Sequence, residues 1–402
     1  MIHTPFAQSA FSPIPLYCDA ELDTQFETLF QHPDSRRILI VSDAWMPQTN
    51  GVVSTLKNLR RELKKMGYRV YLITPKQFNT IPTFYPDVRL AWPQGVAELI
   101  EKIQPDRIFI ATEGSLGLAA RTYCQFKGLP FVTSYTTRWP EYFQAHLGWP
   151  PINWGYNYMR WFHEPAEALL VSTPSLKSEL ETRGFSNVVQ WSRGVDTTRF
   201  QPVPQQQKQA FLPNLPRPFY VYLGRISREK NIEAFLDMPL PGSKILIGEG
   251  PDMAELQSNY SKAVFIGPQY GLELSSALAS CDVLVFPSKT DTFGLVMLEG
   301  LASGLPVVAF DVTGPRDVLR FQSQQSPVGF MAQDNHVLFQ QALQAWQAVK
   351  TGHISPITCH RYAQKFSWKN SAKTLIKALP LCQWDPWAAQ QEGPDNNVSI
   401  PA

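Results

Sequence analysis

Cysteine is scarce. Five occur in 402 residues, Cys18, Cys124, Cys281, Cys359 and Cys382, far apart and without a C-x-x-C pair. That pattern gives neither a disulfide framework nor a paired-cysteine zinc site, and a reducing cytoplasm is the expected compartment. An excess of one charge is also missing: 36 basic against 34 acidic side chains leave +2, too little to drive nucleic-acid binding. No apolar run reaches the roughly 20 residues of a spanning helix, and the N-terminus has neither the basic nor the apolar region of a signal peptide. Any membrane contact is expected to be peripheral.

What is present is the material of packed cores, 44% hydrophobic residues against 17% charged, in a chain long enough for two or three domains. Residues 1–35 carry scattered Pro, Gln and acids with no period and read as an extension. Arg37-Ile-Leu-Ile-Val-Ser-Asp43 is a short apolar run of the kind buried on both faces of a parallel sheet. A loop through Asn50-Gly51 follows. Then Val52, Leu56, Leu59, Leu63 and Met66 repeat at helical spacing up to Gly67. Apolar strands near 69–74, 107–111, 130–134 and 168–172 alternate with helical stretches, which predicts a doubly wound α/β domain over 36–200. The Pro/Gln-rich segment 201–217 reads as a linker. A second βα series, with strands at 219–223, 244–247, 264–266, 283–286 and 307–310, predicts another such domain over 218–385, followed by a tail, 386–402.

The stretch from Pro287 to Val307 carries the most chemistry. A strand ends near Pro287, a polar turn holds Asp291, and a helix starts near Thr292 to Gly294 and stops at Gly304-Leu-Pro306. The first amides of such a helix have no intrahelical partner and suit an anion such as a diphosphate. Asp291 and Glu299 bracket the helix start, and carboxylates accept hydrogen bonds from paired sugar hydroxyls. In Gly224-Arg-Ile-Ser-Arg-Glu-Lys230 a strand end delivers Arg225 and Lys230, two cations that can neutralise a diphosphate leaving group without a metal. Solvated surface charges are the plainer reading of each residue alone. Gly248 and Gly250 close the next strand and admit close backbone approach, but Met253 stands where a dinucleotide fingerprint needs a third Gly.

Taken together, Asp43-Ala-Trp-Met-Pro-Gln-Thr-Asn-Gly-Val-Val53, Arg193-Gly-Val-Asp-Thr-Thr-Arg-Phe200, Gly224-Arg to Lys230, Gly248-Glu-Gly-Pro251 and the pair of acids Asp291 and Glu299 with seven residues between them resemble the retaining family 4 glycosyltransferases of the GT-B fold. The resemblance covers about residues 36–320. It implies two Rossmann-like domains facing across a cleft, with a UDP- or GDP-sugar as co-substrate and no other cofactor. It implies Arg225 and Lys230 on the diphosphate, Glu299 on the ribose, Asp291 on the transferred sugar, and Phe293, Gly294, Leu295 and Val296 along the phosphates and sugar. Asn50 and Gly51 would approach from the first domain, and Gly248 and Gly250 from beside the donor. Retention rests on the resemblance alone. No D-x-D triplet occurs, so the metal anchor of the other large glycosyltransferase fold has no candidate.

Two positions depart from the family pattern. Most relatives carry Glu at Asp291, and many carry His in the segment where this chain has Thr136, which leaves the sugar open. Glu113, after the strand near 107–111, could serve acceptor, sugar or structure. Aromatic residues crowd Trp139 to Phe162, and Lys57, Arg61, Lys64 and Lys65 share a helix face. Both features suit an anionic membrane surface and a lipid acceptor such as diacylglycerol at the inner face of the cell membrane. Core packing and a solvated helix face are the alternatives, as are a soluble oligosaccharide acceptor and a catalytically idle GT-B scaffold.

Overall fold

The computed structural model describes residues 36–384 apart from 49, 84–88, 149–150, 205–206, 209–210, 213, 321 and 323–326. The extension 1–35, the tail 386–402 and parts of the 201–217 segment lie outside the described residues. Strands β1 (Arg37–Val41) and β2 (Arg69–Ile73) form where the apolar runs stand, and β3 (Thr80–Pro82) and β4 (Arg89–Ala91) make a small antiparallel pair. Then come β5 (Arg107–Ile110), β6 (Val132–Tyr135), β7 (Ala168–Val171) and β8 (Val188–Gln190). The first sheet has the order β2-β1-β5-β6-β7-β8, with β1 parallel to both of its neighbours.

The second sheet comprises β9 (Phe219–Leu223), β10 (Ser243–Ile247), β11 (Val264–Gly267), β12 (Val283–Phe286), β13 (Val307–Phe310) and β14 (Gly329–Ala332). Every pairing in it is parallel, in the order β11-β10-β9-β12-β13-β14. Numbered from its own first strand that is 3-2-1-4-5-6, the doubly wound order whose direction reverses between β9 and β12. β9, β12 and β13 are buried along their whole length, as their unbroken apolar sequences require. Each fully buried Leu, Val or Phe there contributes about 1.5–3 kcal/mol. The sequence reading has no strand at β8 or β14. β8 is three residues long with two exposed, and β14 begins at Gly329, where a Cβ would lie 2.5 Å from Leu319 Cδ1.

Helix α1 (Gly51–Lys65) buries Leu56, Leu59 and Leu63 of the expected stripe together with Val53, while Val52 and Met66 are half-buried. Helices α2 (Val96–Ile103), α3 (Ser115–Lys127), α4 (Trp139–Leu147) and α5 (Ile152–His163) follow. Asn50 caps it, Oδ1 accepting from Val53 N at 3.0 Å. The chain divides into two compact units. Among the described residues, one holds 36–45, Gly67–Val132 and 379–384; the other holds those of Met46–Met66 and Thr133–Ala378. This division places the described residues of 201–217 and α1 in the second unit.

Candidate active site

In the first unit, Asp43 is a structural acid. Leu116 N donates to Asp43 Oδ1 at 2.8 Å and Thr112 Oγ1 to Oδ2 at 2.8 Å, joining the end of β1 to the start of helix α3 (Ser115–Lys127). Gly114 is required beside it, because a Cβ would meet Asp43 Cγ at 2.4 Å. Burial pushes the Asp43 carboxyl up, and the amide and hydroxyl donors oppose it. Glu113 is buried between Thr112 and Gly114 at the end of β5.

In the second unit, the two loops at the reversal point of the second sheet are joined to each other. Lys230 Nζ donates to Asp291 Oδ1 at 2.9 Å and to Oδ2 at 3.0 Å. Asn231 Nδ2 donates to Pro287 O at 3.1 Å, and Thr290 Oγ1 to Glu229 O at 3.3 Å. The sequence reading gave Lys230 to a phosphate and Asp291 to a sugar as separate groups, whereas the fold pairs them. Arg225 is half-buried one residue past Gly224, and its carbonyl accepts from Tyr222 OH at 2.6 Å.

The helix after Asp291 runs Leu295–Ala302, slightly later than its sequence suggested, with Gly294 as its N-cap at φ 84°. A Cβ at Gly294 would lie 2.7 Å from Met297 Cε. Leu295 and Val296 are half-buried at its start. Phe293 departs from expectation: it is 6% exposed and meets Phe366 edge-to-face, so its ring belongs to the core and only its backbone can border a ligand. Gly51 comes close to this helix, a Cβ there lying 3.9 Å from Leu295 Cδ1.

Glu299 sits in the second turn. Burial pushes its carboxyl up to about 7, with Arg199 partly opposing the rise. Arg199 belongs to the Arg193-to-Phe200 motif, whose other charges are structural. Arg193 is buried with its guanidinium 3.9 Å over the Trp191 ring and is pushed down to about 9 by burial. Asp196 ties its own turn by accepting from Thr198 Oγ1 at 2.7 Å and pairs with Arg61 Nη2 at 3.2 Å. Arg61 is therefore not part of a solvated basic face, and Lys65 is paired with Glu62 at 2.9 Å.

Gly248 and Gly250 have a packing reason of their own. A Cβ at Gly248, whose φ is +143°, would stand 1.9 Å from Gly224 O, and one at Gly250 2.1 Å from Ile226 O. Residues that sequence reasoning missed also converge here. Thr292 Oγ1 donates to Thr136 O at 3.0 Å, and Ser172 Oγ donates to Thr292 O at 2.9 Å. Gly314 crosses the same loop, a Cβ there lying 2.8 Å from Asp291 O.

A family model described as Glycosyltransferase Family 4 matches residues 49–199, and one described as Glycosyl transferases group 1 matches 217–347. A GDP-mannose-dependent alpha-mannosyltransferase of Mycobacterium tuberculosis is 30% identical over 309 residues, 70% of this chain and 81% of that protein. The chain belongs to the family 4 glycosyltransferases. An alpha-monoglucosyldiacylglycerol synthase of Streptococcus pneumoniae is 27% identical over 68% of this chain and 70% of its own. Among solved structures, a sucrose-phosphate synthase of Thermosynechococcus elongatus superposes with a TM-score of 0.67 at 20% identity, covering 85% of this chain and 98% of that one. The fold of this nucleotide-sugar glycosyltransferase is thus GT-B, two parallel-sheet α/β domains.

Proposed function

We propose that this glycosyltransferase moves a hexose, with retention, from a UDP- or GDP-sugar to a hydroxyl of a membrane lipid such as diacylglycerol, without a metal and as a peripheral protein on the cytoplasmic face. The observation that carries the donor reading is the Lys230–Asp291 pair beside the Leu295–Ala302 helix start, at the reversal point of a 3-2-1-4-5-6 sheet. A diphosphate there meets the Lys230 ammonium, the nearby Arg225 guanidinium and the first amides of the helix. As the sugar–oxygen bond breaks, charge grows on the departing phosphate, so these groups stabilise the transition state more than the ground state. Asp291, released from Lys230 by the phosphate, can accept from hydroxyls of the transferred sugar. Glu299 does the same for the ribose.

The lipid reading rests on helix α5 (Ile152–His163). Trp154, Tyr158 and Trp161 recur at one helical face and are 63%, 40% and 47% exposed. Tyr156, Met159 and Phe162 of the same helix are buried in the core. Trp and Tyr rings combine an apolar body with a polar edge and favour the lipid headgroup layer. No helix among the described residues is long and apolar enough to cross a membrane. The relative named as a monoglucosyldiacylglycerol synthase supports a lipid acceptor, and the one named as a mannosyltransferase supports a GDP-sugar.

The test is a thermal-shift screen with GDP, UDP, GDP-mannose and UDP-glucose, followed by transfer into diacylglycerol vesicles with and without EDTA. A donor-specific rise in Tm and a lipid product formed in EDTA are expected. No shift with any nucleotide removes the donor reading. Loss with EDTA, restored by a divalent ion, removes the metal-free chemistry, and product only on soluble sugars removes the lipid.

A further inference from the structure

Thr292 lies between the Asp291 carboxylate and the buried Phe293, and it is held from two strand ends of the first sheet. Thr136 follows β6, and its carbonyl takes the Thr292 hydroxyl. Ser172 follows β7, is itself buried, and gives its hydroxyl to the Thr292 carbonyl. A parallel link stands beside this one: Ser175 Oγ donates to Asp317 Oδ1 at 2.9 Å and Ser175 N to Oδ2 at 3.2 Å. Gly314 also packs on the loop, a Cβ there lying 2.8 Å from Asp291 O and 3.3 Å from Phe293 N. The loop carrying Asp291 is therefore fixed at consecutive residues by groups outside its own strand and helix.

We propose that Thr292, gripped by Thr136 and Ser172, is a positioning residue that sets Asp291, and through Asp291 the Lys230 ammonium, for transfer. This deepens the donor-site reading and rests on it. A loop that wanders by an ångström loses the alignment on which rate depends. Ground-state grip on the nucleotide is shared among Lys230, Arg225, Glu299 and the helix amides, so a small displacement of one of them should cost less in affinity than in rate. Thr292 is only half-buried, so removing its hydroxyl leaves the core intact.

The experiment compares Thr292→Val, which keeps shape but not the donor, with Thr292→Ser, which restores the hydroxyl, and with Ser172→Ala, in the full-length protein. Three quantities are measured: amide hydrogen exchange across 288–296, Kd for GDP and UDP by calorimetry, and nucleoside diphosphate release from GDP-mannose or UDP-glucose with diacylglycerol vesicles. Thr292→Val and Ser172→Ala should each speed exchange and lower kcat about fivefold, the scale of one net hydrogen bond. Thr292→Ser should restore both, and Kd should stay within about twofold. Unchanged exchange, a loss that Ser does not rescue, or a Kd that weakens in step with kcat overturns the proposal. If the wild type binds neither GDP nor UDP, the donor reading fails, while the exchange comparison still decides whether the tether holds the loop.

Discussion

Lys230 and Asp291 form a two-pronged ion pair, Nζ lying 2.9 and 3.0 Å from the two carboxylate oxygens. The pair joins the loops after β9 and β12, where the sheet order reverses. A phosphate arriving there competes with Asp291 for one ammonium. Asp291→Asn should therefore tighten GDP or UDP binding severalfold while lowering kcat about tenfold, because the sugar loses a charged acceptor. Calorimetry with the nucleoside diphosphate and a turnover assay separate the two effects. Weaker diphosphate binding in this variant would mean that Asp291 does not hold Lys230 back. Both side chains are about one-quarter exposed, so the pair itself adds less than about 1 kcal/mol to stability.

Lys230→Ala and Arg225→Ala should lower kcat/KM by about two to three decades, as expected for lost charge contacts to a leaving group. The Tm should change little, since neither side chain is core. Near-normal turnover in both variants would remove the cations from the mechanism.

The fold was legible because its strands are short unbroken apolar runs, and α1 because Leu56, Leu59 and Leu63 repeat on one face. The site was legible in its residue types and less so in their partners. Nothing local in the sequence pairs Lys230 with Asp291, a contact made by adjacent parallel strands far apart in the chain. The resemblance puts Phe293 along the phosphates and sugar, and the fold packs its ring against Phe366. Gly248 read as a turn that admits close backbone approach, and the backbone it approaches is that of Gly224. Thr292 and Ser172 gave no signal, since a Thr in a polar turn and a Ser at a strand end are commonplace.

That last glycine contact gives a stability prediction. Gly248→Ala places a methyl 1.9 Å from a backbone oxygen at φ +143°, a region closed to other residues, so neighbouring backbone must move. The loss should be about 3 kcal/mol or more, seen as a lower Tm and a lower urea midpoint. Gly67→Ala is the control: its φ is +82° but no atom lies within 4 Å of the added carbon, so only the smaller strain of about 1–2 kcal/mol remains. Equal losses at both sites would show that the contact with Gly224 O is relieved at little cost.

Glu299 gives two opposed pH dependences. Its folded-state carboxyl titrates near 7, raised by burial from the ordinary value of 4.5. Between those values the folded protein holds a proton that the unfolded chain has lost, so this group's stabilising contribution is full below about 4.5 and disappears as pH rises through about 7. Nucleotide binding should run the other way, because only the ionised carboxylate accepts from both ribose hydroxyls. GDP or UDP affinity should therefore strengthen from pH 6 to 8. Glu299→Gln should flatten both curves and weaken binding by about 1–2 kcal/mol at pH 8. A variant with unchanged affinity and an unchanged pH slope would leave Glu299 a bystander.

Membrane attachment should depend on the exposed rings of α5 more than on the charges of α1. Arg61 is engaged by Asp196 and Lys65 by Glu62, which leaves the basic face of α1 partly neutralised. Trp154, Tyr158 and Trp161 remain 63%, 40% and 47% exposed, and each ring inserted at the headgroup layer removes apolar surface from water. Vesicles containing anionic lipid should capture the wild type, and raised salt should release only part of it, since salt screens lysines and leaves aromatic burial intact. Replacing the three aromatics together by Ser should abolish capture, while charge reversal at Lys57 and Lys64 should weaken it severalfold and remove the salt dependence. GDP and UDP affinity should be unchanged in both variants, because neither set of residues belongs to the donor site. Capture that survives loss of all three rings but vanishes with the lysines would make the attachment electrostatic, and α5 would then need another role.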